Sequence, residues 1–201
     1  MSKTLKVIAT LGAFVTVSGC AQDTVSRARA FLPLQEADAV RPSPAAATSR
    51  DISIYLTGYT YWDNTPPGSA AIARPVVHQR AGGTGTWTNP ITIAVGHRIE
   101  NGRQTLDYPA GTRLYLPRLR KYAIVEDVCG DGAAPQNGPC HTGYQGRPWL
   151  DIWIGGRGMS AEESDACARR ITAVQRAVID PPRDLPVAVG EIASNGCHVF
   201  G

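Results

Sequence analysis

From Ile52 onward the chain is cut into short runs of β-branched, aromatic and aliphatic residues, each closed by Gly, Pro or Asn before it reaches the length of a helix. The runs at 52–61, 91–95, 113–116, 122–125, 149–154 and 186–189 read as strands, and 21 Gly and 15 Pro supply the turns between them. No strand–helix unit repeats, which points to an all-β barrel or sandwich rather than a parallel α/β sheet. A single helix is expected from Ser160 through Cys167, because Glu163 stands three residues after Ser160 and completes a capping box. Pro109-Ala110-Gly111-Thr112 reads as a tight turn into the 113–116 strand, and the next strand ends in Glu126-Asp127.

The first fifty residues have another texture. Lys3 and Lys6 precede an apolar run over 7–17, and Val17-Ser18-Gly19-Cys20 closes it as a lipoprotein cleavage and acylation signal. The expected organisation is a signal peptide over 1–19, an acylated flexible linker rich in Ala, Ser, Pro and Arg over 20–50, and one β domain over 51–201. Ala21 after Cys20 resembles the signal for outer-membrane retention, so the expectation is a bacterial outer-membrane lipoprotein facing periplasm or cell surface, held to the membrane by its lipid alone. Loss of Lys3 and Lys6 would leave 18 basic against 17 acidic groups, a near-neutral monomeric body with no call for nucleic acid. Four further cysteines, Cys129, Cys140, Cys167 and Cys197, are an even set suited to an oxidising compartment. Of the three possible connectivities, Cys129–Cys140 with Cys167–Cys197 is favoured, since the Gly- and Pro-rich segment between the first two closes easily. With no CxxC spacing, no metal site is expected, and the Gly-rich 81–86 stretch lacks the Lys and helix of a phosphate loop, so no cofactor is expected either. That stretch reads as a mobile groove edge, and Arg118-Leu119-Arg120-Lys121 as a solvated basic hairpin tip.

The order of a Pro-x-Gly-Thr turn, a strand ending in Asp127, the Cys129 loop and the Leu150-Asp151-Ile152 strand resembles the six-stranded double-psi β-barrel of the barwin, expansin and rare lipoprotein A superfamily. The likeness covers roughly 52–190, and 63–73 with 81–87 look most similar to small secreted barwin-like proteins. It implies a mainly β barrel with one or two short helices that acts on a cell-wall polysaccharide, peptidoglycan or a β-glucan. Members divide between glycan-cleaving enzymes, endoglucanase-like or lytic transglycosylase-like, and expansin-like modules that bind without cutting.

Inverting cleavage needs two carboxyl groups, one acid and one base, spaced to admit a water. The resemblance places the acid at Asp151 and the base at Asp63, which follows Tyr61-Trp62, with Asp127 as a third carboxylate. Asp151 lies among Trp149, Leu150, Ile152 and Trp153, a dry setting that raises a carboxyl pKa. Asp63 has an alternative role as the cap of the turn that follows it. The histidine of the transglycosylases falls on Val95, leaving His97 as a solvated loop residue and His141 as a loop residue beside Cys140. Tyr61, Trp62, Trp87, Trp149 and Trp153 are the candidate sugar-stacking rings, and strand alternation puts Trp149, Asp151 and Trp153 on one face.

Overall fold

A computed structural model describes residues 48–201. The expected signal segment 1–19, the acylation candidate Cys20 and the 20–50 linker up to residue 47 lie outside the described residues.

The chain forms β1 (Arg50–Tyr59), β2 (Ile91–Val95), β3 (His97–Glu100), β4 (Arg103–Leu106), β5 (Arg113–Leu116), β6 (Lys121–Val128), α1 (Pro139–Thr142), β7 (Trp149–Trp153), α2 (Ala161–Ile171) and β8 (Ala173–Ile179). Six strands close a barrel in the order β1-β7-β2-β6-β5-β8, while β3 and β4 make a separate hairpin. The fold is therefore mainly β with a closed six-stranded barrel and two short helices. The pairs β1–β7 and β2–β6 are parallel and the other barrel pairs antiparallel. Residues of the segments between β1 and β2 and between β6 and β7 line a cleft beside the barrel.

Alternation explains the core. Ile54 and Leu56 of β1, Leu150 and Ile152 of β7, and Ala177 and Ile179 of β8 turn inward to meet Ile93, Val95, Leu114, Leu116 and Val125. The capping box forms as expected, with Ser160 Oγ accepting from the Glu163 N–H and the Glu163 carboxylate accepting from the Ser160 N–H, and α2 packs Ile171 against the barrel. Gly58 makes that approach possible: a Cβ there would sit 2.9 Å from side-chain carbons of both Ile154 and Ile171.

Three expectations are corrected. The last barrel strand is Ala173–Ile179, not 186–189. Its sequence alternates poorly, with Gln175 buried and Val174 exposed, whereas the Pro-flanked 186–189 segment runs alongside the β5–β6 turn through the Ala188 N–H and the Lys121 ammonium. The basic run is not a solvated tip: Leu119 and Lys121 are buried, Arg118 donates to the Ile171 carbonyl and Arg120 lies over the Phe200 ring. The Gly-rich stretch is packed rather than edging a groove, with Gly82, Gly85, Thr84 and Thr92 tied by backbone bonds and Gly83, at φ +108°, too close to the Pro90 carbonyl for any side chain.

Both favoured disulfides are present. Cys129–Cys140 closes the loop after β6, and Cys167–Cys197 ties α2 to the C-terminal segment. The second spans 30 residues, so replacing Cys167 and Cys197 together by Ala is expected to lower stability by about 2–4 kcal/mol in urea denaturation. An unchanged midpoint would show that burial alone holds α2 against the tail.

Candidate functional site

Hydrogen-bond register places the carboxylates. Across adjacent strands β1, β7, β2 and β6, Thr57 pairs with Asp151, Asp151 with Ala94, and Ala94 with Asp127, so the four residues form one row. The register of β2 against β6 shifts between Ile93 and Ala94, skipping Glu126. That bulge is what sets Asp127, rather than Glu126, opposite Ala94. The small Ala94 side chain makes a low floor between the two acids.

The loop after β1 folds over this row and completes a cleft of about 340 Å³ lined by Asp63, Asp127 and Asp151 together with Tyr59, Ile72 and Cys129. Thr57 Oγ1 donates to Asp151 Oδ1 at 2.7 Å and accepts from Trp149 Nε1 at 2.8 Å. An indole N–H can only donate, so the Thr57 hydroxyl keeps its own proton for Asp151 Oδ1 at 2.7 Å or the Leu150 carbonyl at 3.5 Å. Burial pushes the Asp151 carboxyl up to about 7, with the charges of Asp63 and Asp127 adding to the shift and the Thr57 bond opposing it.

Asp127 is held more firmly. Its Oδ1 accepts the N–H groups of Ala73 (3.0 Å) and Val128 (2.9 Å), and its Oδ2 accepts the Tyr59 hydroxyl (3.0 Å). Burial nevertheless raises its carboxyl above the ordinary range. Asp63 caps the turn before it rather than the one that follows: Oδ1 accepts both the Thr60 N–H (2.6 Å) and the Thr60 hydroxyl (2.8 Å). The structure thus brings all three carboxylates to one cleft.

The aromatic candidates separate. Tyr61 and Trp62 adjoin Asp63 in the turn, with Trp62 41% exposed and its Nε1 fastened to the Gly156 and Met159 carbonyls. Trp149 is half-buried against Tyr55. Trp153 is buried against Tyr59 in the core and offers no open face. Trp87 stands apart from the cleft, between the guanidiniums of Arg113 and Arg183 and against Tyr122. His97 is not solvated: it is buried in β3, and burial lowers its pKa. His141 Nδ1–H donates to Asp107 Oδ1 at 2.7 Å, outside the Asp151 cleft.

Glu126 is the carboxylate that sequence reasoning passed over. Fully buried, it accepts from the N–H groups of Val77 (2.5 Å), His78 (2.8 Å) and Val76 (3.2 Å), from His78 Nδ1 (2.7 Å) and from the Thr92 hydroxyl (3.1 Å). Burial pushes its carboxyl up, but these donors outweigh it and hold the group below its usual range. The one available signal was two consecutive acids at a strand end, which cannot both face the same way.

A match to the family described as the DDB_G0273701 N-terminal domain runs over residues 51–198. The chain belongs to that family. It is also similar to an uncharacterized protein of Dictyostelium discoideum, 37% identical over 102 residues that make up 50% of this chain and 38% of the relative. The chain thus spans well under half of that relative's length. No solved structure matches it. The relative comes from a eukaryote, which overturns the expectation of a bacterial outer-membrane lipoprotein.

Two stability predictions of opposite sign follow from the acids. An unfolded Asp titrates near 3.9, below the folded Asp151 at about 7, so ionisation of Asp151 opposes folding as pH rises between those values. Asp151→Asn should leave stability unchanged below pH 4 and raise it by on the order of 1–4 kcal/mol above pH 7. Denaturation curves at pH 4 and 8 with equal shifts would refute this. For Glu126, held below its unfolded value, the contribution is present above that value and is lost as pH falls through the folded one. Glu126→Gln should therefore cost about 1–3 kcal/mol at pH 7 and less in acid.

Proposed function

We propose that this chain binds a polysaccharide in the Asp151 cleft and cleaves it by acid-assisted hydrolysis with inversion. The observation that carries the reading is a buried carboxyl, pushed up to about 7 by desolvation, at the wall of an open cleft and facing a second carboxylate across Ala94. In this reading Asp151 gives its carboxyl proton to the glycosidic oxygen as the bond from that oxygen to the anomeric carbon breaks. Asp127 takes a proton from the water that attacks the opposite face of the carbon, and exchange with solvent resets both acids. Two strand spacings of about 4.8 Å separate the two backbones, which suits the spacing of about 6.5–9.5 Å between carboxyls that leaves room for the water. Asp63, at the rim, assists by raising the Asp151 pKa. The closed six-stranded barrel with its parallel crossing pairs is compatible with the barwin, expansin and rare lipoprotein A type, whose members act on wall glycans.

A second reading is an expansin-like module that binds without cutting. What favours it is the firm engagement of the two possible bases, Asp63 Oδ1 by Thr60 and Asp127 by three donors.

The test is release of reducing ends from soluble β-glucan and from peptidoglycan by the full chain. Wild-type activity should fall as pH rises through about 7, where Asp151 loses its proton. Asp151→Asn and Asp127→Asn should each lower the rate by roughly 10²- to 10⁴-fold while glycan pull-down persists. Full activity in Asp151→Asn would end the catalytic reading. Binding without any product release would establish the non-catalytic one.

A further inference from the structure

A second cleft, of about 400 Å³, opens on the other side of Trp149 from the carboxylate row and is lined by Asp107, His141, Arg147 and Trp149. It is joined to the first by covalent and hydrogen-bonded links. Cys129 lines one cleft and its disulfide partner Cys140 the other. Trp149 lines the second cleft while its Nε1 holds the Thr57 hydroxyl that donates to Asp151 in the first.

The polar groups of this cleft are arranged and only partly used. His141 Nδ1 is fixed by Asp107 Oδ1 at 2.7 Å, with both side chains 26% exposed. That contact sets the ring orientation and leaves Nε2 without a partner among the described residues. Arg147 is steadied through Nε on the Ser53 hydroxyl (3.2 Å) and through a terminal nitrogen on the Gln145 carbonyl (3.1 Å), so N–H donors remain on a planar fork. Behind Trp149 stands an aromatic block: Tyr55 meets Trp149 edge-on with centroids 4.7 Å apart, and Tyr144 stacks on Tyr55 at 4.2 Å. The Trp149 ring is therefore fixed at its edge, by Thr57, and along one side, by Tyr55.

We propose that this cleft is a second saccharide subsite, one that takes a neutral hexopyranose unit of the same glycan chain and is coupled to Asp151 through Trp149 and Thr57. The proposal rests on the reading of the Asp151 cleft as a polysaccharide site. Neutral sugar is the class that fits, because vicinal hydroxyls both donate and accept and find here an acceptor carboxylate, an imidazole nitrogen and guanidinium donors beside an aromatic ring. The charges of Asp107 and Arg147 offset one another, so the cleft gives no net attraction to an anionic sugar. A unit resting against Trp149 bears on the indole whose N–H holds the Thr57 hydroxyl, and so on the Thr57 contact to Asp151 Oδ1. The ligand implied is an extended chain with a unit in each cleft.

The experiment is titration of the full chain with cello-oligosaccharides of two and four units, chitotetraose and an acidic tetragalacturonate, followed by calorimetry and by amide and indole NMR. Trp149→Phe identifies the Trp149 indole signal among the four tryptophans. The tetrasaccharide should shift Gly143, Gly146 and the Trp149 indole together with Thr57 and Asp151, and bind more tightly than the disaccharide. His141→Ala and the milder Asp107→Asn, each checked for an intact spectrum, should weaken the neutral tetrasaccharide about tenfold, as expected for one lost hydrogen bond. Tetrasaccharide binding confined to Thr57, Asp151 and Ala73, and unaffected in both variants, overturns the second subsite and leaves the proposed function standing. Tighter binding of the galacturonate at Gly143 and Gly146 overturns the neutral class. No binding of any oligosaccharide overturns both readings at once.

Discussion

The ladder of hydrogen bonds across β1, β7, β2 and β6 is the constraint on which the candidate site depends. It sets Thr57, Asp151, Ala94 and Asp127 in one row although they lie far apart in sequence. Side chains alternate along a strand, so a slip of one residue would turn Leu150 outward and Asp151 into the core. The apolar interior forbids that slip: Ile54, Leu56, Leu150 and Ile152 are all fully buried. Core packing therefore holds the chemistry in place, and the bulge between β2 and β6 is the one departure from regular pairing that the site requires.

Two neighbouring acids on β6 and a third on β7 show how donors, rather than burial alone, decide the state of a carboxyl. Glu126 is as buried as any group in the barrel, yet five donors converge on it and favour its charged form. Asp151 meets a single donor, the Thr57 hydroxyl, so desolvation prevails and the neutral form persists towards pH 7. Asp127 lies between these extremes, with three donors and a modest upward displacement. The fully satisfied acid clasps the 76–78 segment to the barrel, whereas the poorly satisfied one keeps its raised pKa at a cost in stability.

Much of this was legible in the chain. The strands at 91–95 and 113–116 and the start of α2 at its capping box came from local patterns, because alternation and capping act within a few residues. Both disulfides agreed with loop closure, and Asp151 stood out by its apolar neighbours. Other features were out of reach. β8 lacks clean alternation since Gln175 is buried without a partner for its side chain among the described residues, and the role of Glu126 depends on a loop fifty residues earlier. Trp153 and Trp149 looked alike in sequence, but the packing of Tyr59 over one and the open cleft beside the other separate them.

What the sequence determined by itself was the class of fold, because turn residues, strand periodicity and cysteine parity are local or countable properties of the chain. What only the tertiary structure decided was which acids meet, which rings stay open and which donors each carboxyl finds. Those depend on parallel pairings between strands as remote as β1 and β7 and on a one-residue shift between β2 and β6. Such pairings are selected by the packing of the closed barrel as a whole, and no short stretch of sequence encodes them.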